Sequence, residues 1–166
     1  MNSCFQPNDA FPSTIAGFDL RRAPVSWAGR IADFDHQTFA RDAWPSKVWE
    51  DELSASYRTY LVLSEPPGPL QSLGSIVGVG GVAYVDDAEI LTIAVSPRYQ
   101  RRGIGSRLLE ILLDIAACHG ARRVFLEVRS KDEGVQKMYA KAGFQEMSRR
   151  KHYYSDDDAV VMLRET

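Results

Sequence analysis

Apolar residues return along this chain at two different intervals, and the places where the interval changes divide it into elements. Phe18-Asp19-Leu20-Arg21-Arg22 alternates apolar and polar side chains, the pattern of a short strand. From Val25 to Phe39 the interval lengthens, with Trp27, Ile31, Phe34 and Phe39 at roughly helical spacing. A second short helix follows the Ala43-Trp44-Pro45-Ser46 turn, where Pro45 suits a helix start and Val48, Trp49 and Leu53 supply the apolar stripe. Tyr57 to Ser64 is strand-like and runs into Glu65-Pro66-Pro67-Gly68-Pro69, which predicts an exposed loop. Ile76 to Val85 is again β-prone, and its glycines at 78, 80 and 81 permit a bulge or the close approach of another backbone. After the turn Asp86-Asp87-Ala88, the run Glu89 to Val95 is almost continuously apolar, as expected of a central strand covered on both faces.

From Gly103 the pattern is helical: Ile104, Leu108, Leu112 and Ile115 form one stripe, Ile111 and Ala116 widen it, and His119-Gly120 closes the helix. Arg123 to Val128 is the next strand, and its helical link to the Glu89–Val95 run implies a right-handed crossover and parallel pairing. Glu133 to Ala142 reads as a short helix ended by Gly143. Phe144 to Tyr154 and Asp158 to Leu163 read as a closing pair of strands joined by Ser155-Asp156-Asp157. Residues 1–17 show no period and read as a flexible leader or loosely docked arm. The order is strand, two helices, three strands, helix, strand, helix, two strands. It predicts one mixed α/β domain over residues 18–166, with a central sheet of six to seven strands whose first half is antiparallel.

Composition changes this picture little and excludes much. With 166 residues, 45% of them hydrophobic, the chain suits one compact core. A net charge of −2 with no basic tail argues against nucleic acid as a partner. No apolar run approaches the ~18 residues of a membrane span, and no secretory leader pattern opens the chain, so a soluble cytoplasmic protein is expected. Cys4 and Cys118 make neither a metal-ligand spacing nor a disulfide framework, and Cys118 reads as core filler.

Charge becomes informative locally, in Val95 to Ser106. Arg98, Arg101, Arg102 and Arg107 gather there without an acidic residue, at the start of a helix whose dipole favours anions. Gly103 and Gly105 keep Cβ atoms away from an approaching phosphate. A dinucleotide fingerprint would need a third glycine where Leu108 stands, and no Gly-Lys-Ser/Thr follows for a Walker loop. Taken alone, the turn is either an anion site or a bare structural turn.

The stretch Ile93-Ala94-Val95-Ser96-Pro97-x-Tyr99-Gln100-Arg101-x-Gly103-Ile104-Gly105 resembles the coenzyme-A segment of the GCN5-related N-acetyltransferase (GNAT) superfamily. Leu126-Glu127-Val128-Arg129, Met138-Tyr139-x-x-x-Gly143-Phe144 and Arg150-x-x-Tyr153-Tyr154 resemble its second half. Together they are similar to the branch that acetylates the N-terminal alanine of a small-subunit ribosomal protein, over residues 18 to 164. The resemblance implies a GNAT-like sheet with helices on both faces, acetyl-coenzyme A as donor, a protein N-terminal peptide as acceptor, and no metal. It implies that Ile93, Ala94, Val95, Gln100, Arg101, Arg102, Gly103, Ile104, Gly105, Ser106, Asp132 and Tyr139 contact the cofactor, and that Trp44, Glu127, Tyr153 and Tyr154 flank the acceptor.

Glu127, between Leu126 and Val128, faces the opposite side of the sheet from them and is either a solvent-facing strand residue or a base; the resemblance makes it the general base. Tyr139, a packed helix tyrosine on its own terms, becomes the general acid by its place ahead of Gly143-Phe144. The aromatic group Phe39, Trp44 and Trp49 is open between core packing and a groove wall. Lys131-Asp132 departs from the family's Ser-Asn, so the pattern implies weaker cofactor contact there or another contact in its place, with Lys131 as the compensating cation. An acetyltransferase for small amines or lysine, or a silent coenzyme-A binding module, is the alternative.

Overall fold

The computed structural model describes residues 12–165. In chain order the elements are β1 (Thr14–Ile15), β2 (Phe18–Arg22), α1 (Ala28–Phe39), α2 (Ser46–Ser54), β3 (Arg58–Ser64), β4 (Ile76–Tyr84), β5 (Ala88–Val95), α3 (Ile104–Cys118), β6 (Arg123–Arg129), α4 (Glu133–Lys141), β7 (Gln145–Arg150) and β8 (Ala159–Glu165). The strands form one sheet in the order β1-β2-β3-β4-β5-β6-β8-β7. Its pairs are antiparallel except β5 with β6. On β3, Leu61 and Leu63 pack into the layer of α3 and α4, while Tyr60 and Val62 pack into that of α1 and α2. Burial on both faces explains why this strand reads as a continuous apolar run.

The sheet has eight strands, not the six to seven expected. The added one, β1, lies inside the predicted flexible leader. Ala16 and Gly17 both take positive φ (51° and 85°), a two-residue reversal that sets Thr14 opposite Asp19 and buries Ile15 in the core. Residues 1–11 of the expected leader fall outside the described ones. The strand expected to run to Tyr154 ends at Arg150. There His152 turns the chain at φ 55°, and its N–H donates to the Asp158 carboxylate at 2.8 Å.

The glycines of β4 serve both uses: a Cβ on Gly78 would lie 3.1 Å from the Ala94 carbonyl oxygen of the neighbouring strand, whereas Gly80 and Gly81 admit side chains. A Cβ on Gly80 would lie 2.8 Å from Leu108 Cγ, and one on Gly81 would lie 2.3 Å from the Tyr60 ring. Tyr60 has little freedom to yield, because its phenol donates to Glu52 at 2.5 Å. Gly81→Ala should therefore cost about 1–3 kcal/mol through overpacking, seen as a lower urea midpoint at unchanged slope.

The pairing of β4 with β5 slips beside Gly81: Gly81 faces Thr92 but Val82 faces Ile90, leaving Leu91 as an extra residue. This bulge reverses the alternation of β5, so that Ile90 and, three residues on, Ile93 both pack on the α3 side. On its other edge β5 pairs with β6 only at Ala88↔Val124, Glu89↔Phe125 and Ile90↔Leu126. From Leu91 onward the parallel strands part, and Ile93 to Val95 and Glu127 border that opening.

Candidate active site

The parting of β5 from β6 leaves the edges of Leu91–Val95 and Glu127–Arg129 without one another as ladder partners. Leu91, Thr92 and Ile93 are only half-buried, between buried Ile90 and buried Ala94 and Val95. Such a gap suits an extended ligand arm that needs main-chain hydrogen bonds.

At the end of β5 the chain is braced before it turns. The Gln100 side chain donates to the Val95 carbonyl at 2.9 Å, and the Tyr99 phenol donates to Glu65 at 3.1 Å while its ring meets Phe18 edge-on. Gln100 thus acts as a strut for the turn. Arg101 and Gly103 take positive φ (60° and 76°), which directs successive N–H groups into a concavity. Gly103 is the N-cap of α3, and no side chain caps the first turn. Ile104, Gly105 and Ser106 precede the bond from the Arg107 N–H to the Gly103 carbonyl (3.0 Å), so their N–H groups are the free donors of a helix start. A Cβ on Gly103 would meet nothing within 4 Å, and Arg98, Arg101 and Arg102 stand exposed around this space. Gly105 lies where α3 meets Ile93, Val95 and Met138 of α4. Unfilled donors, open space and surrounding cations fit a pyrophosphate.

The other side of β6 is built differently. Alternation sends Val124, Leu126 and Val128 into the α3/α4 core and turns Glu127 and Arg129 toward the face of α1 and α2. The Glu127 side chain is 16% exposed, and its Oε1 pairs with Arg150 at 2.7 Å. The Tyr153 phenol donates to Glu127 and is pushed up to about 12, first by that bond and then by burial. The Tyr154 hydroxyl lies 3.5 Å from the Glu127 carbonyl, and burial followed by the Glu127 charge raises its phenol as well. Desolvation and then the Glu127 charge hold the Glu89 carboxyl above the ordinary range. Glu127 is therefore a half-buried carboxylate held by Arg150 and the Tyr153 phenol, not a plain solvent-facing residue.

Tyr139 is buried in α4, its ring edge-on to Phe144 at 5.8 Å. Burial first, then the charges of Tyr154 and Asp132, push its phenol above the usual tyrosine range.

Asp132 caps α4: its Oδ1 accepts the Val135 N–H at 3.2 Å, at a helix start that favours a negative charge. Aspartate caps as well as the family's asparagine. Lys131 reaches the connection between β7 and β8: its Nζ donates to the Asp156 carbonyl at 2.7 Å and its N–H to Asp157 at 2.9 Å. Asp132→Ala should lower stability by about 1 kcal/mol, and Asp132→Asn by a few tenths at most, on thermal denaturation.

The turn read as a plain Ser155-Asp156-Asp157 connection is a set of anchors. Burial works to raise the Asp157 carboxyl, but bonds from the Lys131 N–H, the Ser130 hydroxyl (2.8 Å) and the Asp158 N–H (2.8 Å) carry it below the usual range. Trp44 packs on Trp49 (5.3 Å), gives its N–H to buried Asp35 at 2.7 Å, and lines an open groove of about 600 Å³ with Arg30 and His36. Its neighbour Asp42 is the residue of that turn that pairs with β6, through Arg129. Asp42, Arg129 and Arg150 are not among the predicted site residues, and Asp42 has no signal beyond its charge. The arginines stood in motif positions, whereas only the tertiary fold brings Asp42 to them.

Among the described residues there is no cluster suited to a metal ion, and no helix long and apolar enough to cross a membrane. Residues 29–144 match the acetyltransferase (GNAT) family. The chain is 35% identical to the N-alpha-acetyltransferase RimI of Mycobacterium tuberculosis, across 95% of this chain and 96% of that protein. It is 38% identical over 82 residues to the ribosomal protein bS18-alanine N-acetyltransferase of Escherichia coli, covering 47% of this chain and 55% of that one. The crystal structure of the ribosomal-protein-S18-alanine N-acetyltransferase from Escherichia coli superposes with a TM-score of 0.76 at 25% identity, over 89% of this chain and 93% of that one. The chain belongs to the GNAT acetyltransferase family, whose members take their acetyl group from acetyl-coenzyme A.

Proposed function

We propose that this protein acetylates the α-amino group of a protein N-terminus, with the N-terminal alanine of a ribosomal protein as the preferred acceptor, by direct attack in a ternary complex. The observation that carries this reading is the Glu127 carboxylate, 16% exposed, on β6 where that strand parts from β5, in a chain similar to RimI along nearly its whole length.

Bound acetyl-coenzyme A supplies an electrophilic thioester carbonyl and a thiolate that departs. The N–H groups of Arg101, Arg102, Gly103, Ile104, Gly105 and Ser106 hold its pyrophosphate, and Ile93, Ala94 and Val95 offer main-chain groups to its arm. Glu127 takes a proton from the incoming ammonium through water; an α-amino group, reference pKa ~8, gives up that proton more readily than lysine at ~10.4. Main-chain N–H groups near Val95 stabilise negative charge developing on the carbonyl oxygen. Tyr139 delivers its proton to the sulfur. Tyr153 and Tyr154 flank the acceptor and hold Glu127 in place.

Peptides differing only in their first residue test the acceptor. An alanine-starting peptide should show kcat/KM at least tenfold above one starting with leucine. Equal rates across the series would remove the alanine preference, and transfer only to free polyamines would remove the protein acceptor.

A further inference from the structure

We propose that Arg129 is a positioning residue for the acceptor, its guanidinium fork tying the turn after α1 to the turn between β7 and β8 on the Glu127 side of β6, so that the incoming N-terminus meets one preformed wall. This rests on Glu127 marking the acceptor side, as set out under the proposed function.

Arg129 follows Glu127 by two residues on β6 and so shares its face. One guanidinium nitrogen pairs with Asp42, at the end of the Ala40–Asp42 turn that follows α1. The other lies 2.5 Å from Asp156 Oδ1, in the turn after β7. The guanidinium sits 4.4 Å from the centroid of the Tyr154 ring, and the Ser155 hydroxyl reaches Asp42 at 3.4 Å. The Arg129 backbone is fixed as well, its carbonyl accepting from the Gln136 amide of α4 at 2.9 Å. One side chain therefore joins the acceptor face of β6, both turns and the tyrosine next to Glu127.

The two turns lie more than a hundred residues apart in sequence, and the ladders of the described strands do not join them. The Asp42 contact is the stronger half: Arg129 and Asp42 are 31% and 26% exposed, against 67% for Asp156. A planar fork can hold two carboxylates and stack on a ring at once, which a lysine ammonium cannot.

The test compares wild type with Arg129→Met, Arg129→Lys, Asp42→Asn and Arg129→Met/Asp42→Asn, using an alanine-starting peptide and acetyl-coenzyme A. Arg129→Met should raise the peptide KM at least tenfold and leave the acetyl-coenzyme A KM within twofold. Arg129→Lys and Asp42→Asn should fall between, and the double variant should be no worse than Arg129→Met, because the two residues act as a unit. In hydrogen exchange, amides of residues 42–44 and 152–157 should lose protection together in Arg129→Met while those of α3 do not. Peptide KM unchanged, both KM values rising in parallel, additive single effects, or independent exchange of the two turns would overturn the proposal; should Arg129→Met fail to fold, Arg129→Lys and Asp42→Asn decide by the same criteria. If wild type acetylates no peptide, the proposed function fails and this inference with it. If wild type acetylates peptide and the variants keep its KM, this inference fails alone.

Discussion

Tyr139→Phe should lower kcat by about a hundredfold while the acetyl-coenzyme A KM stays within about twofold. Removing the hydroxyl deletes the proton donor to the departing sulfur, and a positioned acid contributes roughly 10²–10⁴ to a rate. The ring that packs on Phe144 is retained, so the thermal midpoint should move little. The buried setting also fixes the pH behaviour. A phenol raised above its ordinary value of 10.0 remains protonated, and so able to donate, through that pH. The wild-type kcat should therefore show no alkaline fall from this group up to pH 10. Full activity in Tyr139→Phe would remove Tyr139 from the mechanism.

Glu127→Gln should lower kcat/KM for peptide by about two to three orders of magnitude near pH 7, and the defect should shrink as pH rises toward 9. Glutamine can still accept from Arg150 and Tyr153, so the variant removes the base and keeps the neighbours. The rescue follows from the substrate: an α-amine with a reference pKa of ~8 is largely neutral in solution at pH 9, and a base is then less needed. Initial rates across pH 6.5 to 9.5 check this. A defect of constant size at every pH would mean that Glu127 serves in some way other than deprotonating the amine.

The sequence was most readable where one physical cause dominates locally. Ile104, Leu108 and Leu112 sit on one stripe because α3 packs one face on the sheet, and the arginines beside Gly103 mark the anion turn without help from distant residues. The parting of β5 from β6 was unreadable. From Ile90 to Val95 only Thr92 is polar, so the extra residue at Leu91 reverses the alternation with little mark in the pattern. β1 was hidden because alanine at a positive-φ position carries no turn signal. Asp132 was legible as a cap, an aspartate at the start of a short helix. The ties of Asp42, Asp156 and Asp157 to the residues after Glu127 are made between distant segments, and no local rule assigns a carboxylate its partner across the fold.

The central claim is that the acetyl group goes to a protein α-amine, and localising it on a single peptide tests this most directly. A peptide with N-terminal alanine and an internal lysine, incubated with the purified protein and acetyl-coenzyme A, should gain one acetyl group, placed on the alanine nitrogen by fragment mass spectrometry. The same peptide with its N-terminus blocked should gain none. Acetylation of the lysine in either peptide, at a rate matching or exceeding that at the alanine, would contradict the account.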